Sequence, residues 1–114
     1  MILRSGTNDQ RRHHLDFIPF TDLIGNKNRP ALVLVDGVDD VTVCFLTTQL
    51  RFQSQFDIEI PPSPINGLKK TSLIRIAKIA TIEKGLALGK LGIITSRQMS
   101  MLDRNLKGLF KINC

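Results

Sequence analysis

Tryptophan and tyrosine are absent from this sequence, and cysteine occurs only at Cys44 and Cys114. Without Trp or Tyr, any stacking against a nucleobase falls to phenylalanine or to the planes of arginine. Most of the six Phe sit where a core claims them. The two cysteines have no spacing that suits a metal or a redox motif. Cys44 lies inside an apolar run and reads as a small core hydrophobe. A reduced cytoplasm fits that usage. No apolar run is long enough to cross a bilayer, and Met1 to His14 lacks the apolar region of a signal peptide. Arg11-Arg12 does not read as a twin-arginine signal, because Asp16 and Pro19 interrupt the apolar stretch it would need. The expectation is a cytoplasmic protein with no membrane attachment.

What is present is a basic chain of ordinary apolar content. Sixteen Lys and Arg oppose ten Asp and Glu, a net charge of +6, with a pI near 9.8. That balance favours polyanionic partners, nucleic acid or an acidic peptide. At 114 residues the chain suits one domain. Residues 1–12 are polar and unpatterned and read as a loose tail, with one domain over 13–114. Adjacent His13 and His14 point to opposite sides of a strand, with no further ligand near in sequence. Neither a metal site nor a cofactor is expected.

Leu15 to Phe20 is a short strand candidate, and the loop Thr21 to Asn28 follows it. Ala31 to Val35 and Val41 to Leu46 are strands joined by the turn DGVDD. Phe56-Asp57-Ile58-Glu59-Ile60 alternates, which predicts a half-buried strand with both acids facing out. Prolines 61, 62 and 64 with Asn66-Gly67 end it. Ser72 to Ile76 resumes as strand and continues toward Ile82. Thr95 and Gln98 have the spacing of a capping box. Met99, Leu102, Leu106, Leu109 and Phe110 then recur at helical spacing, a face suited to core packing. Lys107 and Lys111 near the end suit the helix dipole. Five or so short strands followed by a C-terminal helix predict a mainly β, small barrel.

The hairpin admits a register test. If Val35 and Val41 close the turn, Val33 faces Val43, Ala31 faces Phe45 and, further out, Arg29 faces Thr47. That register keeps the odd-numbered apolar residues together, and a one-residue slip would separate them. Opposed side chains have Cβ atoms about 4.5–5.5 Å apart. A guanidinium and a hydroxyl therefore share one spot at the open end of the hairpin, where Pro30 removes a ladder donor. The planar fork of Arg29 matches phosphate oxygens, and Thr47 and Thr48 add hydroxyl donors. RNA carries its own nucleophile in the ribose 2′-OH. Orienting that oxygen and neutralising the charge on phosphorus is chemistry that Arg and Thr can supply.

The stretches Phe17 to Leu23 and Lys27 to Leu34 resemble the opening of MazF/PemK-type toxins of type II toxin–antitoxin systems. The likeness continues through Leu46 to Gln49, Phe56 to Ile60, Gly67 to Ser72, Ile79 to Lys84, Leu91-Gly92 and the final helix, over residues 15 to 112. It implies an SH3-like barrel of MazF/PemK/CcdB type, working as a homodimer with a cognate acidic antitoxin and binding DNA in complex with it. It implies a metal-independent endoribonuclease acting on single-stranded RNA to leave a cyclic phosphate and a 5′-hydroxyl. The family's Arg-Pro element falls on Arg29 and its strand-end threonine on Thr47, with Thr48 as fallback. A second arginine used by some members falls on Arg75, although the aspartate they place two residues later is replaced by Ala77. Lys27, Arg51, Lys69, Lys70 and Arg75 are the candidates for tracking the RNA backbone. The rival functions are a non-catalytic, CcdB-like binder of DNA gyrase and an inactive remnant that binds RNA or antitoxin.

Overall fold

The computed structural model describes residues 14–21 and 26–112, with side chains over 28–51 and 53–112. The tail expected over 1–12 lies outside the described residues, as does His13. The described chain forms strands β1 (His14–Thr21), β2 (Asn26–Asp36), β3 (Asp40–Thr47), β4 (Ile58–Ile60), β5 (Ser72–Glu83) and β6 (Gly89–Ile93), then helix α1 (Ser96–Phe110). The mainly β reading with a C-terminal helix holds, but the described residues form six strands, and β2 and β5 are long. β6 escaped the periodicity argument because Gly89 and Gly92 interrupt its apolar pattern.

All six strands form one sheet in the order β4-β5-β3-β2-β1-β6, with every neighbour antiparallel. It curls into a half-barrel. The main core gathers Leu32, Cys44, Leu46, Ile58, Ile60, Ile74, Ile76, Ile94 and Leu102. A smaller cluster, Ala31, Val33, Val41 and Val43, occupies the other face of β2 and β3. Odd and even positions thus separate as the period of two requires.

Ala31 pairs with Phe45 and Val33 with Val43, as the apolar pattern predicts. A bulge between Val33 and Val35 then shifts the ladder, so Val35 pairs with Thr42 and Asp36 with Val41. Val35 does not close the turn; Asp36 does. Lys84 holds this tighter turn from outside, its Nζ donating to the Gly37 carbonyl at 2.9 Å and pairing with Asp36 Oδ1 at 2.8 Å. Within Phe56 to Ile60 only Ile58–Ile60 is strand. Glu59 faces out, but Asp57 is buried, against the outward placement that alternation suggests.

The connection from β4 to β5 is organised by one side chain. Asn66 is 1% exposed. Its Nδ2 donates to the Pro61 carbonyl at 2.9 Å, and its Oδ1 accepts from the N–H groups of Ser63 and Leu68 at 3.0 and 2.9 Å. Gly67 has φ +70, and a Cβ there would stand 2.5 Å from the Leu91 carbonyl oxygen. Glycine is required on both counts. A Cβ on Gly92 would collide with the Ile65 carbonyl and the Asn66 backbone. Those two glycines let the loop lie directly on β6, where the Ile93 N–H donates to the Ile65 carbonyl at 2.9 Å.

Helix α1 begins with the capping box the sequence predicts: Gln98 N–H donates to Thr95 Oγ1 at 3.0 Å and Thr95 N–H to Gln98 Oε1 at 2.9 Å. Leu102 is buried and Met99, Leu106 and Leu109 are half-buried against the core. Phe110, expected on the same face, is 58% exposed. The helix ends with Lys111 in the left-handed region at φ 58, while the Ile112 N–H reaches back to the Lys107 carbonyl at 2.9 Å. No helix among the described residues is long and apolar enough to cross a membrane.

Candidate active site

Arg29 lies near the start of β2, opposite Ile18 of β1, and Thr47 is the last residue of β3. The β2–β3 ladder extends outward only to Ala31 and Phe45. Pro30 has no N–H to continue it. The two strands part here, and a cavity of about 50 Å³ opens, lined by Arg29, Pro30, Leu46, Thr47, Thr48 and Ser72. Arg29 and Thr47, which the register brings to one end of the hairpin, and the adjacent Thr48 therefore border one space. Arg29 is half-buried, with its Nε screened from solvent. The Gln49 N–H donates to Thr47 Oγ1 at 3.1 Å. That bond uses an acceptor site of the hydroxyl and leaves its proton available for donation.

The small cavity adjoins a groove of about 550 Å³. Pro30, Thr48 and Ser72 border both, and Gly67, Leu68, Lys69, Lys70 and Leu91 complete the groove. Its floor is apolar and its rim basic. Among the described residues no carboxylate lines either space, and Arg29, Lys69 and Lys70 contribute positive potential there. Ser72 belongs to the site although residue type alone did not single it out. It is buried, and its Oγ donates to the Lys70 carbonyl at 3.0 Å, holding the lysine loop against the cavity. Its position at the start of a strand just after Lys69-Lys70 was the available signal.

A family model described as PemK-like, MazF-like toxin of type II toxin–antitoxin system matches residues 12–110. The chain belongs to that family. No curated protein matches it as a relative. Among solved structures, it superimposes on the Mycobacterium tuberculosis toxin MazF-mt6 with a TM-score of 0.73 at 20% identity, covering 89% of this chain and 99% of that one. An endoribonuclease in complex with its cognate antitoxin from Mycobacterial species gives 0.66 at 20% identity, covering 100% and 99%. The MazE–MazF complex of Deinococcus radiodurans gives 0.69 at 17%, covering 88% and 94%. At such identities the likeness is one of fold.

Against this PemK/MazF frame the other candidates divide. Lys69 and Lys70 face the groove, whereas Arg51 and Arg75 line neither space. Arg51 is exposed on the one-turn helix Leu50–Phe52. Arg75 is turned toward a buried carboxylate: its Nε lies 3.8 Å from Asp57 Oδ2. Of the basic candidates whose side chains are described, the two lysines border the groove and the two arginines stand apart from it. The Lys27 side chain and that of His14 lie outside the described residues. Among the described residues no three His, Cys, Asp or Glu side chains gather closely enough to hold a metal ion. Cys44 is buried in the main core, and burial, reinforced by the Asp57 charge, pushes its thiol from 9.0 up to about 12. It is a core residue with no reactive thiolate at neutral pH.

Proposed function

We propose that this PemK/MazF-family toxin is a metal-independent endoribonuclease that cuts single-stranded RNA. The observation that carries the reading is the convergence of Arg29, Thr47 and Thr48 on one small cavity beside a lysine-rimmed groove. The phosphate chain lies along Lys69 and Lys70, and the scissile phosphate enters the cavity. The ribose 2′ oxygen forms a bond to phosphorus as its proton leaves to solvent. The phosphorus–O5′ bond breaks, and O5′ takes up a proton, giving a cyclic phosphate and a 5′-hydroxyl. Arg29 stays cationic throughout and neutralises the charge that builds on the equatorial oxygens. Thr47, its acceptor site occupied by Gln49, donates its proton to one of those oxygens. Thr48, exposed at the junction of cavity and groove, is the second donor.

The structurally similar endoribonuclease–antitoxin and MazE–MazF complexes, together with the net charge of +6, support a cognate acidic antitoxin as protein partner. An acidic segment laid along the Lys69-Lys70 rim blocks the same path that RNA takes. Two copies of an SH3-like barrel form the working unit in this reading, in the cytoplasm.

The test is incubation of purified protein with end-labelled single-stranded RNA in excess EDTA. The expected products carry 5′-hydroxyl ends, and Arg29→Ala loses at least about 10²-fold in rate while its circular dichroism is unchanged. Uncut RNA, or an Arg29→Ala variant as active as the parent, overturns the assignment. Inhibition of DNA gyrase in place of RNA cleavage would point to the CcdB-like alternative.

A further inference from the structure

Asp57 belongs to a stretch whose alternation points it outward, yet its side chain is 1% exposed. Register explains its neighbour. Ile58 pairs with Ile74, so Asp57 stands one step further along, across from Arg75, with Oδ2 3.8 Å from Nε. The same oxygen accepts the Ser54 N–H at 3.0 Å. Helix α1 braces the segment from behind. Asn105 Nδ2 donates to the Phe56 carbonyl at 2.9 Å, and Gly108 packs against the Phe56 ring. The carboxylate is thus held by the Ser54 N–H, and the backbone just before it is braced through Phe56, before Arg75 is considered.

The pair is asymmetric. Arg75 keeps 27% of its side chain exposed where Asp57 keeps 1%. Leu73 pairs with Thr47, and Arg75, two residues on, leaves β5 on the same side, roughly 7 Å further along the strand. The β3–β5 register breaks just there, between Leu46↔Ile74 and Cys44↔Ile79. An arginine at such a bend has many rotamers, and a buried carboxylate selects one. A pair retained for stability alone is often replaceable by apolar residues without loss. An arginine side chain that stays partly exposed while a buried carboxylate sets its direction is suited to binding.

We infer that Asp57 is a positioning residue: its buried carboxylate holds the Arg75 guanidinium on the Thr47 side of the sheet, as a fixed cation for RNA phosphates flanking the scissile linkage. The inference rests on the RNA-cleaving reading above. Its test uses the full chain, a fluorescein-labelled 2′-O-methyl oligoribonucleotide that cannot be cut, and steady-state cleavage of the matching RNA. Asp57→Asn is expected to bind the probe at least fivefold more weakly and to raise KM more than it lowers kcat. Arg75→Ala weakens binding similarly, and the double variant binds no more weakly than Arg75→Ala. Asp57→Glu restores at least half of the lost affinity in logarithmic terms. Asp57→Asn binding within twofold of the parent, or additive losses in the double variant, overturns the inference. Should Asp57→Asn fail to melt cooperatively, Arg75→Lys decides: fivefold weaker binding supports a fixed guanidinium and parental affinity refutes it. If the parent cuts RNA in an Arg29-dependent way, a failure here leaves the functional reading intact. A parent that neither binds nor cuts RNA removes both.

Discussion

Replacing Asn66 with alanine removes three hydrogen bonds made by one buried side chain, and the cost can be worked from their geometry. The Leu68 N–H, which donates to Oδ1 at 2.9 Å, belongs to a residue 9% exposed and has little access to water. Leaving it unsatisfied costs about 2 kcal/mol. Pro61 and Ser63 lie nearer the surface, so their carbonyl and N–H can turn to solvent and lose about 1 kcal/mol each. The sum, about 4 kcal/mol, is a large share of the roughly 5–15 kcal/mol that holds a domain together. With a urea dependence of roughly 1.5 kcal/mol per molar, the midpoint falls by roughly 2.5 M. The assay is urea unfolding followed by far-ultraviolet circular dichroism. A midpoint shift under about 0.5 M, less than about 1 kcal/mol, would refute the reasoning. The close approach of Gly67 and Gly92 to their neighbours would then suffice to hold the loop.

Two further outcomes come from single residues. Lys111 occupies the left-handed cap of α1 at φ 58, a conformation that costs a side chain about 1 kcal/mol relative to glycine. Lys111→Gly should therefore raise stability by about that amount in thermal melts, and a loss would show that the lysine's charge at the helix end outweighs the backbone term. Cys44 keeps its proton in the folded state up to about pH 12, whereas the unfolded thiol ionises from 9.0. The folded chain thus binds more protons in that window, so stability falls as pH rises from 9 to 12, by up to about 1.4 kcal/mol per pH unit. Below pH 9 the effect is absent. Cys44→Ala should lose this extra slope in urea titrations at pH 9 to 11, and parallel slopes for parent and variant would contradict the assignment.

How much was legible can be judged from Arg29, Asp57 and Ser72. The meeting of Arg29 and Thr47 was accessible because both stand on period-two strands whose odd positions had to share a face. That constraint survives the bulge beyond Val33, since the bulge displaces only the turn end of the hairpin. Ser72 was harder. Its role depends on a loop folding back so that its hydroxyl meets the Lys70 carbonyl. Asp57 was misread, because alternation assigns a face without knowing that a cation waits on the neighbouring strand.

Local chain chemistry was enough for the strands of the hairpin, the faces of their apolar residues, and the start of α1 at Thr95 and Gln98. These depend on backbone periodicity and on donors a few residues away, and such short-range terms are written into adjacent letters. The half-barrel, the turn closure at Asp36, the lysine-rimmed groove and the burial of Asp57 came from the folded chain as a whole. Each of those requires groups distant in the chain to meet, such as Gly92 with Asn66, Lys84 with Asp36, and Arg75 with Asp57. A charge can leave water only where its counter-charge and donors have already been placed, and the curl of the whole sheet does the placing.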